Sequence, residues 1–348
     1  MTILNLQVLL TFLYQNVKSY CNFPYIISLI WISNQFRLFL LGFAAVFTLS
    51  ACHNNLQISS NTTPSPLLSA TDIRVVKHAV GKTNIPIKPQ RIITLHDSTI
   101  LDPVLALGVK PIGAATYAAE QGVLFRGISN DTLMGVQQVG SAFAPSLEKI
   151  LTLKPDLILG REYQKDIYNV LANIAPTVLV DWGSFPSFKD NFRYIAYVLG
   201  EDEKAELVLN QYQARIKEFQ LRMGKRLEEI EVCVIGFSGQ NIKSLNRDAV
   251  FNQVIDDAGL KRVPIQKNQK ERFLNLSIEF LSKYDADVLF VINESNAKQL
   301  SYFKNLMWSQ LKAVKNKRIY EVKSNIWFAG GPLGANKILD DLFKNLVQ

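Results

Sequence analysis

From residue 71 onward, short apolar runs alternate with stretches whose apolar residues recur every three or four positions. "RIITL" at 91, "KPIGAAT" at 110, "DLILG" at 156 and "PTVLVD" at 176 read as strands. The helical patterns Ser98 to Leu107 and Ser146 to Leu153 lie between them. That alternation predicts α/β units with parallel strands. A second set follows: "EVCVIGF" at 231, a helical Ala249 to Ala258, "ADVLFVI" at 286 and "KRIYEV" at 317. Between the sets, residues 201–226 carry Leu209, Tyr212, Ile216, Phe219 and Met223 at helical spacing, with acids at the start and Lys225 and Arg226 at the end, as the helix dipole favours. Twenty-six residues at ~1.5 Å each span roughly 39 Å, enough to cross from one lobe to another. The pattern therefore predicts two α/β lobes bridged by a single long α-helix. Arg193, in the helical "NFRYIAYVLG", is expected to be structural.

Upstream the pattern changes. Leu38 to Ala51 carries no charge, follows the lone Arg37, and is shorter than the ~20 residues of a bilayer span. It ends in Leu49-Ser50-Ala51-Cys52 and gives way to "HNNLQISSNTTPSPLLSA", too polar to bury a core. The four residues resemble the bacterial lipobox, which implies a leader over 1–51 and Cys52 as a lipidated first mature residue anchored by more than one acyl chain. The alternative is an uncleaved membrane helix or hairpin over residues 23–51. A start site assigned too far upstream accounts for the length of the leader. The expected organisation is leader 1–51, tether 52–70, N-terminal lobe 71–200, interlobe helix 201–226 and C-terminal lobe 227–348.

Composition then narrows the class. Setting the leader aside leaves 297 of the 348 residues and lowers the formal charge from +8 to +6, because the leader carries Lys18 and Arg37 and no acid. The remaining Lys and Arg are scattered, with no aromatic-basic motif or zinc spacing for nucleic acid, so anionic small molecules are the expected partners. Outside the leader only Cys52 and Cys233 remain. With Cys52 lipidated no internal disulfide can form, and Cys233, inside an apolar strand pattern, reads as a core thiol.

An internal echo links the two sets of elements. "SLEKILTLKPDLIL" (146–159) aligns without gaps to "SIEFLSKYDADVLF" (277–290), placing Glu148 and Glu279 in equivalent first turns behind a capping Ser. From periodicity alone both acids can simply favour a helix N-terminus.

Taken in order, "HAVGKTNIPIKPQRIITL", "LDPVLALGVKPIGAAT", "VGSAFAPSLEKILTLKPDLILG", the interlobe helix and "WSQLKAVKNKRIYEVKSNIWF" resemble the substrate-binding lipoproteins of iron-siderophore ABC importers. The likeness runs over residues 76–345. It implies the helical-backbone periplasmic-binding-protein fold, with the ligand between the lobes and little hinge motion. It also implies a monomer that delivers a ferric siderophore or ferric citrate to an ABC permease dimer, with Glu148 and Glu279 docking on permease arginines.

A ferric chelate brings its own iron ligands, so no cofactor and no metal-ligating residue is expected. Guanidinium groups would read chelator oxygens and aromatic faces its organic backbone. Among loops expected after strands, Arg161 and Arg247 are the candidate charge readers, and Tyr117, Trp182, Phe237, Trp327 and Phe328 the candidate walls. A zinc or manganese site would need several His with carboxylates, whereas only His96 beside Asp97 is well placed. "GGPLGANK" (330–337) lacks the Gly-Lys-Ser/Thr order of a phosphate loop, and no GxSxG, HExxH or CxxC accompanies it, so a secreted enzyme ranks below a binding protein. Cobalamin or haem stays open as the alternative ligand.

Overall fold

The computed structural model describes residues 73–117, 125–238, 241–245, 249–294 and 305–347. Cys52 and the proposed leader and tether lie outside them. The described chain opens with an antiparallel hairpin, β1 (Ile73–His78) and β2 (Gly81–Pro86).

The first lobe is a sheet of five strands: β3 (Ile92–Thr94), β4 (Gly113–Thr116), β5 (Gln137–Ser141), β6 (Leu157–Arg161) and β7 (Thr177–Val180). Their spatial order is β5-β4-β3-β6-β7, and every pair is parallel. Period-two alternation supplies both faces: Ile92, Leu157, Leu159 and Val178 join one buried cluster, and Ile93, Ile158 and Ala115 join another. Of these strands β5 had no counterpart in the hydrophobic pattern. It is an edge strand with Gln137 and Gln138 exposed and only Val139 buried, so it carries almost no apolar signal. Covering elements are a π-helical turn Asp97–Leu101 that runs into α1 (Asp102–Ala106), then α2 (Leu147–Thr152) and α3 (Phe188–Leu199).

The interlobe helix α4 spans Asp202–Met223, inside the predicted stretch. Its buried stripe divides between the lobes: Ala205 and Leu209 complete the core of the first, and Tyr212, Ile216, Phe219 and Met223 that of the second. One amphipathic face thus serves two cores, which is why a single helix can bridge them. Arg193 pairs with Glu206, tying α3 to α4 on the exposed side.

The second lobe is built on β8 (Glu231–Ser238), β9 (Asn241–Leu245), β10 (Lys261–Arg262), β11 (Phe273–Leu276), β12 (Val288–Asn293) and β13 (Ile319–Lys323). Its order is β11-β9-β8-β12-β13, with β10 on β8. Both β8–β12 and β12–β13 are parallel, whereas β9 is antiparallel to both its neighbours. Helix α5 (Val250–Asp257) and the long α6 (Pro332–Leu346) cover one face. Cys233 is fully buried, and burial pushes its thiol pKa up. Among the described residues no helix is long and apolar enough to cross a membrane.

The lobes also meet without α4. Phe188 of α3 sits in the core of the second lobe, its amide donating to Gln253 Oε1 at 2.9 Å, and Lys189 pairs with Asp257 of α5 at 2.7 Å.

Candidate functional site

Parallel strands of the first lobe deliver their carboxyl ends to one edge, and five loops converge there. They contribute His96, Ser98 and Thr99 after β3, Tyr117 after β4, Phe143 after β5, Arg161 to Tyr163 at the end of β6, and Asp181 to Gly183 after β7. Opposite them stand Leu245 and Ala249 to Phe251, Arg272, and the segment 327–330 after β13. The two walls enclose a cavity of about 430 Å³. A second hollow of about 680 Å³ lies among α1, α4 and α6, but its cations are engaged: Arg215 by Asn336 and Asp340, and Lys337 by the carbonyl of Gly127. Of these two, the interlobe cavity alone collects strand-end loops, arginines and aromatics, which makes it the candidate site.

Arg161 ends β6 and is only 5% exposed. Its Nε and Nη2 donate to the Glu162 carboxylate, both at 2.7 Å, and its Nη1 donates to Thr99 Oγ1 at 3.2 Å. Despite the burial that raises it, the Glu162 pKa is lowered by this guanidinium. The guanidinium lies 5.8 Å from the Trp182 ring and 5.5 Å from that of Tyr163.

Arg126 forms a second charged centre. It donates from Nη2 to Asp97 Oδ1 at 2.6 Å and stacks 4.1 Å above the Tyr117 ring. Burial works to raise the Asp97 pKa, but Arg126 outweighs it and holds the carboxylate below its ordinary range. His96, 4% exposed, accepts the Thr99 amide on Nδ1 and so caps the π-helical turn. Burial first, then Arg126, pushes the His96 pKa down to about 3, so the ring is neutral near pH 7. Its Nδ1 is taken by the cap, and its Nε2 lies 3.3 Å from the Arg126 guanidinium. Among the described residues no group of three or more His, Cys, Asp or Glu side chains could hold a metal ion.

An aromatic wall joins the two centres. Tyr117 meets Phe143 edge-on at 5.0 Å, and Phe143 stacks on Tyr163 at 5.3 Å. Tyr117 is 40% and Phe143 63% exposed, so this wall presents two aromatic faces to the cleft. The Tyr163 hydroxyl is buried and has no hydrogen-bond partner among the described residues.

Of the residues singled out in the sequence, Tyr117, Arg161, Trp182, Trp327 and Phe328 line this cavity. Trp327 does so as its floor: it is fully buried, its Nε1 donates to Asp341 Oδ2 at 2.9 Å, and its ring lies 4.9 Å from Phe290. Phe237 is placed elsewhere. The strand continues to Ser238, so alternation sends Cys233, Ile235 and Phe237 to the sheet face opposite Trp327, where Phe237 is fully buried against Trp308. Because β9 returns antiparallel, the chain reaches the cavity at Leu245 instead. Arg247 lies outside the described residues. Arg126, Arg272, Phe143 and Tyr163 line the cavity without having been singled out. Tyr163 stood in the same strand-end loop as Arg161, whereas no motif marked either arginine.

Glu148 and Glu279 are exposed, one in each lobe. Ser146 accepts the amide of Lys149 and Ser277 that of Phe280, both at 3.4 Å, so the two acids follow the same three-residue cap. The first heads the α-helix α2, the second a 3₁₀ helix Glu279–Tyr284.

Two sheets joined by one rigid helix around a cleft define a bilobal solute-binding protein. Residues 93–326 match the Periplasmic binding protein family model, and the chain belongs to that family. It is 34% identical over 314 residues to the probable siderophore-binding lipoprotein YfiY of Bacillus subtilis, covering 86% of this chain and 94% of that protein. It is 28% identical over 274 residues to the Fe(3+)-citrate-binding protein YfmC of the same organism, covering 77% and 84%. Among solved structures, Staphylococcus aureus SirA complexed with staphyloferrin B superposes with a TM-score of 0.68 at 30% identity, covering 78% of this chain and 98% of that one.

Proposed function

We propose that this chain is an extracytoplasmic binding protein, lipid-anchored through Cys52, that captures a ferric siderophore or ferric citrate between its lobes and delivers it to an ABC permease dimer. The observation that carries the reading is the pairing of Arg126, Arg161 and Arg272 with the wall of Tyr117, Phe143, Tyr163 and Trp182 in one cleft. Guanidinium groups supply forked donors for chelator oxygens, and aromatic faces cover an organic backbone. The iron is cargo, already coordinated, and asks for no side-chain ligand. The names of YfiY, YfmC and the SirA complex support the same ligand class.

In this reading Tyr117, Arg161, Trp182, Trp327 and Phe328 contact or floor the ligand, and Arg126, Arg272 and Tyr163 join them. Arg247, which lies outside the described residues, keeps its proposed role as a charge reader. Glu148 and Glu279 dock on the permease, each contributing little energy alone because both are exposed, but together fixing the register. The protein works as a monomer, without catalysis.

Titration of tryptophan fluorescence with ferric staphyloferrin B, ferric citrate, a ferric hydroxamate, cyanocobalamin and haemin tests the ligand class. Saturable quenching by a ferric chelate is expected. Binding of cyanocobalamin or haemin with no response to any ferric chelate would overturn it.

A further inference from the structure

We infer that Asp102 is a positioning residue, a clasp between the lobes that sets the width of the binding cleft. It belongs to the first lobe, at the start of α1, and is completely buried. Its partners belong to the second lobe: Oδ1 accepts the amide of Leu333 at 2.9 Å, and Oδ2 that of Gly334 at 2.8 Å.

Those amides are the orphan donors of α6, a fifteen-residue helix. A helix leaves its first N–H groups unsatisfied, and the usual remedy is a Ser, Thr, Asp or Asn side chain at its own N-cap. Here the N-cap is Gly331, which has no side chain, and Pro332 has no amide hydrogen. The cap is supplied across the lobe boundary, where a carboxylate also meets the positive end of the helix dipole.

The glycines of "GGPLGANK" are the complement of this contact. A Cβ on Gly331 would stand 2.3 Å from Asp102 Oδ1, and one on Gly330 would stand 2.7 Å from the Thr99 side chain. A sequence that invites comparison with a phosphate loop therefore cradles a carboxyl group, one that belongs to the protein.

What the clasp joins are the two walls of the cleft. His96, Ser98 and Thr99 line it a few residues before Asp102, and residues 327–330 line it just before Gly331. Opening the cleft at its base would strip the cap from α6 and move a carboxylate that water does not reach. The charged groups facing Asp102 are Lys337 on α6 and Asp97 on the π-helical turn. Lys337 makes a second tie, donating across the boundary to the Gly127 carbonyl.

The test is hydrogen exchange by mass spectrometry on the purified protein and its Asp102→Asn and Asp102→Ala variants, with Gly331→Ala displacing the carboxylate without deleting it. Exchange about tenfold faster is expected in residues 333–336, the scale of a lost helix cap. The same is expected in both cleft walls, 96–101 and 327–331, while β6 and β12 stay protected. Leu281→Ala, in the core on the opposite face of the second-lobe sheet, should leave 96–101 unchanged. Acceleration confined to 333–336 would reduce Asp102 to a local cap and overturn the clasp, as would no change at all. A second arm measures dissociation of ferric staphyloferrin B, expected to quicken in the Asp102 variants. If the wild type binds no ferric chelate the ligand reading fails, yet the exchange arm still decides the clasp.

Discussion

Glu162 grips Arg161 with both carboxylate oxygens at 2.7 Å, so the most buried arginine of the cleft already holds an anion. If Arg161 reads the chelate as proposed, an incoming ligand competes with that carboxylate for the fork. Glu162→Gln should therefore tighten an anionic ferric chelate by roughly five- to tenfold, the scale of a modest charge-assisted hydrogen bond, and leave an uncharged chelate unaffected. Arg161→Ala should weaken the anionic chelate by about 1.5–3 kcal/mol. Calorimetric titration of both variants checks the pair, and equal affinities for Glu162→Gln and wild type would remove Glu162 as a competitor.

The orphan hydroxyl of Tyr163 makes an opposite prediction for stability and binding. Tyr163→Phe removes a buried group that has no partner among the described residues, so thermal stability should stay level or rise. Chelate affinity should fall by about 0.5–1.5 kcal/mol if the hydroxyl completes its bonding on the ligand. A fall in stability with unchanged affinity would exclude that contact.

Asp102 and His96 oppose one another in pH. Burial raises Asp102 to about 7, against the pull of the Leu333 and Gly334 amides and of Lys337, so between about pH 4 and 7 the folded protein holds a proton that the unfolded chain has lost. Its contribution to stability therefore falls as pH rises through that window. His96, lowered to about 3, does the reverse: between about pH 3 and 6.5 the unfolded chain binds the extra proton, and stability rises with pH. Across about pH 4 to 6.5, where the two windows overlap, the slopes have opposite sign and offset one another. His96→Gln should expose a melting temperature that falls with rising pH across this range, and Asp102→Asn one that rises. Parallel profiles for the two variants would contradict the assignment.

Phe237 and Trp182 should separate packing from binding. Phe237→Ala opens a cavity in the second lobe and should cost about 3–5 kcal/mol of stability with little effect on the affinity of the folded fraction. Trp182→Ala, half-buried at the cleft wall, should cost less stability and more affinity. Denaturant melts and fluorescence titrations of the two proteins would reveal a reversal.

The docking role proposed for Glu148 and Glu279 is separable from ligand binding, because both acids are exposed. Glu148→Ala with Glu279→Ala should abolish uptake of radiolabelled iron chelate in cells and leave affinity of the purified protein intact. Lost affinity would place these residues in the ligand site.

Much of this molecule is written in local pattern. Strands β6, β8 and β12 are apolar runs buried on both faces, and α4 carries a 3.6-residue stripe, so each announces itself within its own stretch of chain. The loops of the first lobe follow from parallel strands, because parallel pairing brings every carboxyl end to one edge, and Arg161, Trp182 and Tyr117 could be picked from them. The failures have a common cause in pairing that no local signal carries. Edge strand β5 needs little apolar surface, and β9 turns back where a loop was expected, which puts Phe237 inside a strand and Leu245 at the cleft.

Composition and periodicity determined two lobes, one bridge and the kinds of side chain at the strand ends. Tertiary structure decided which charges meet. Arg126 finds Asp97 from 29 residues away, and Asp102 reaches the amide of Leu333 across 231. Hydrogen bonds of such separation form only because packed cores bring distant backbone within 3 Å, and packing is a property of the whole chain rather than of any stretch of it.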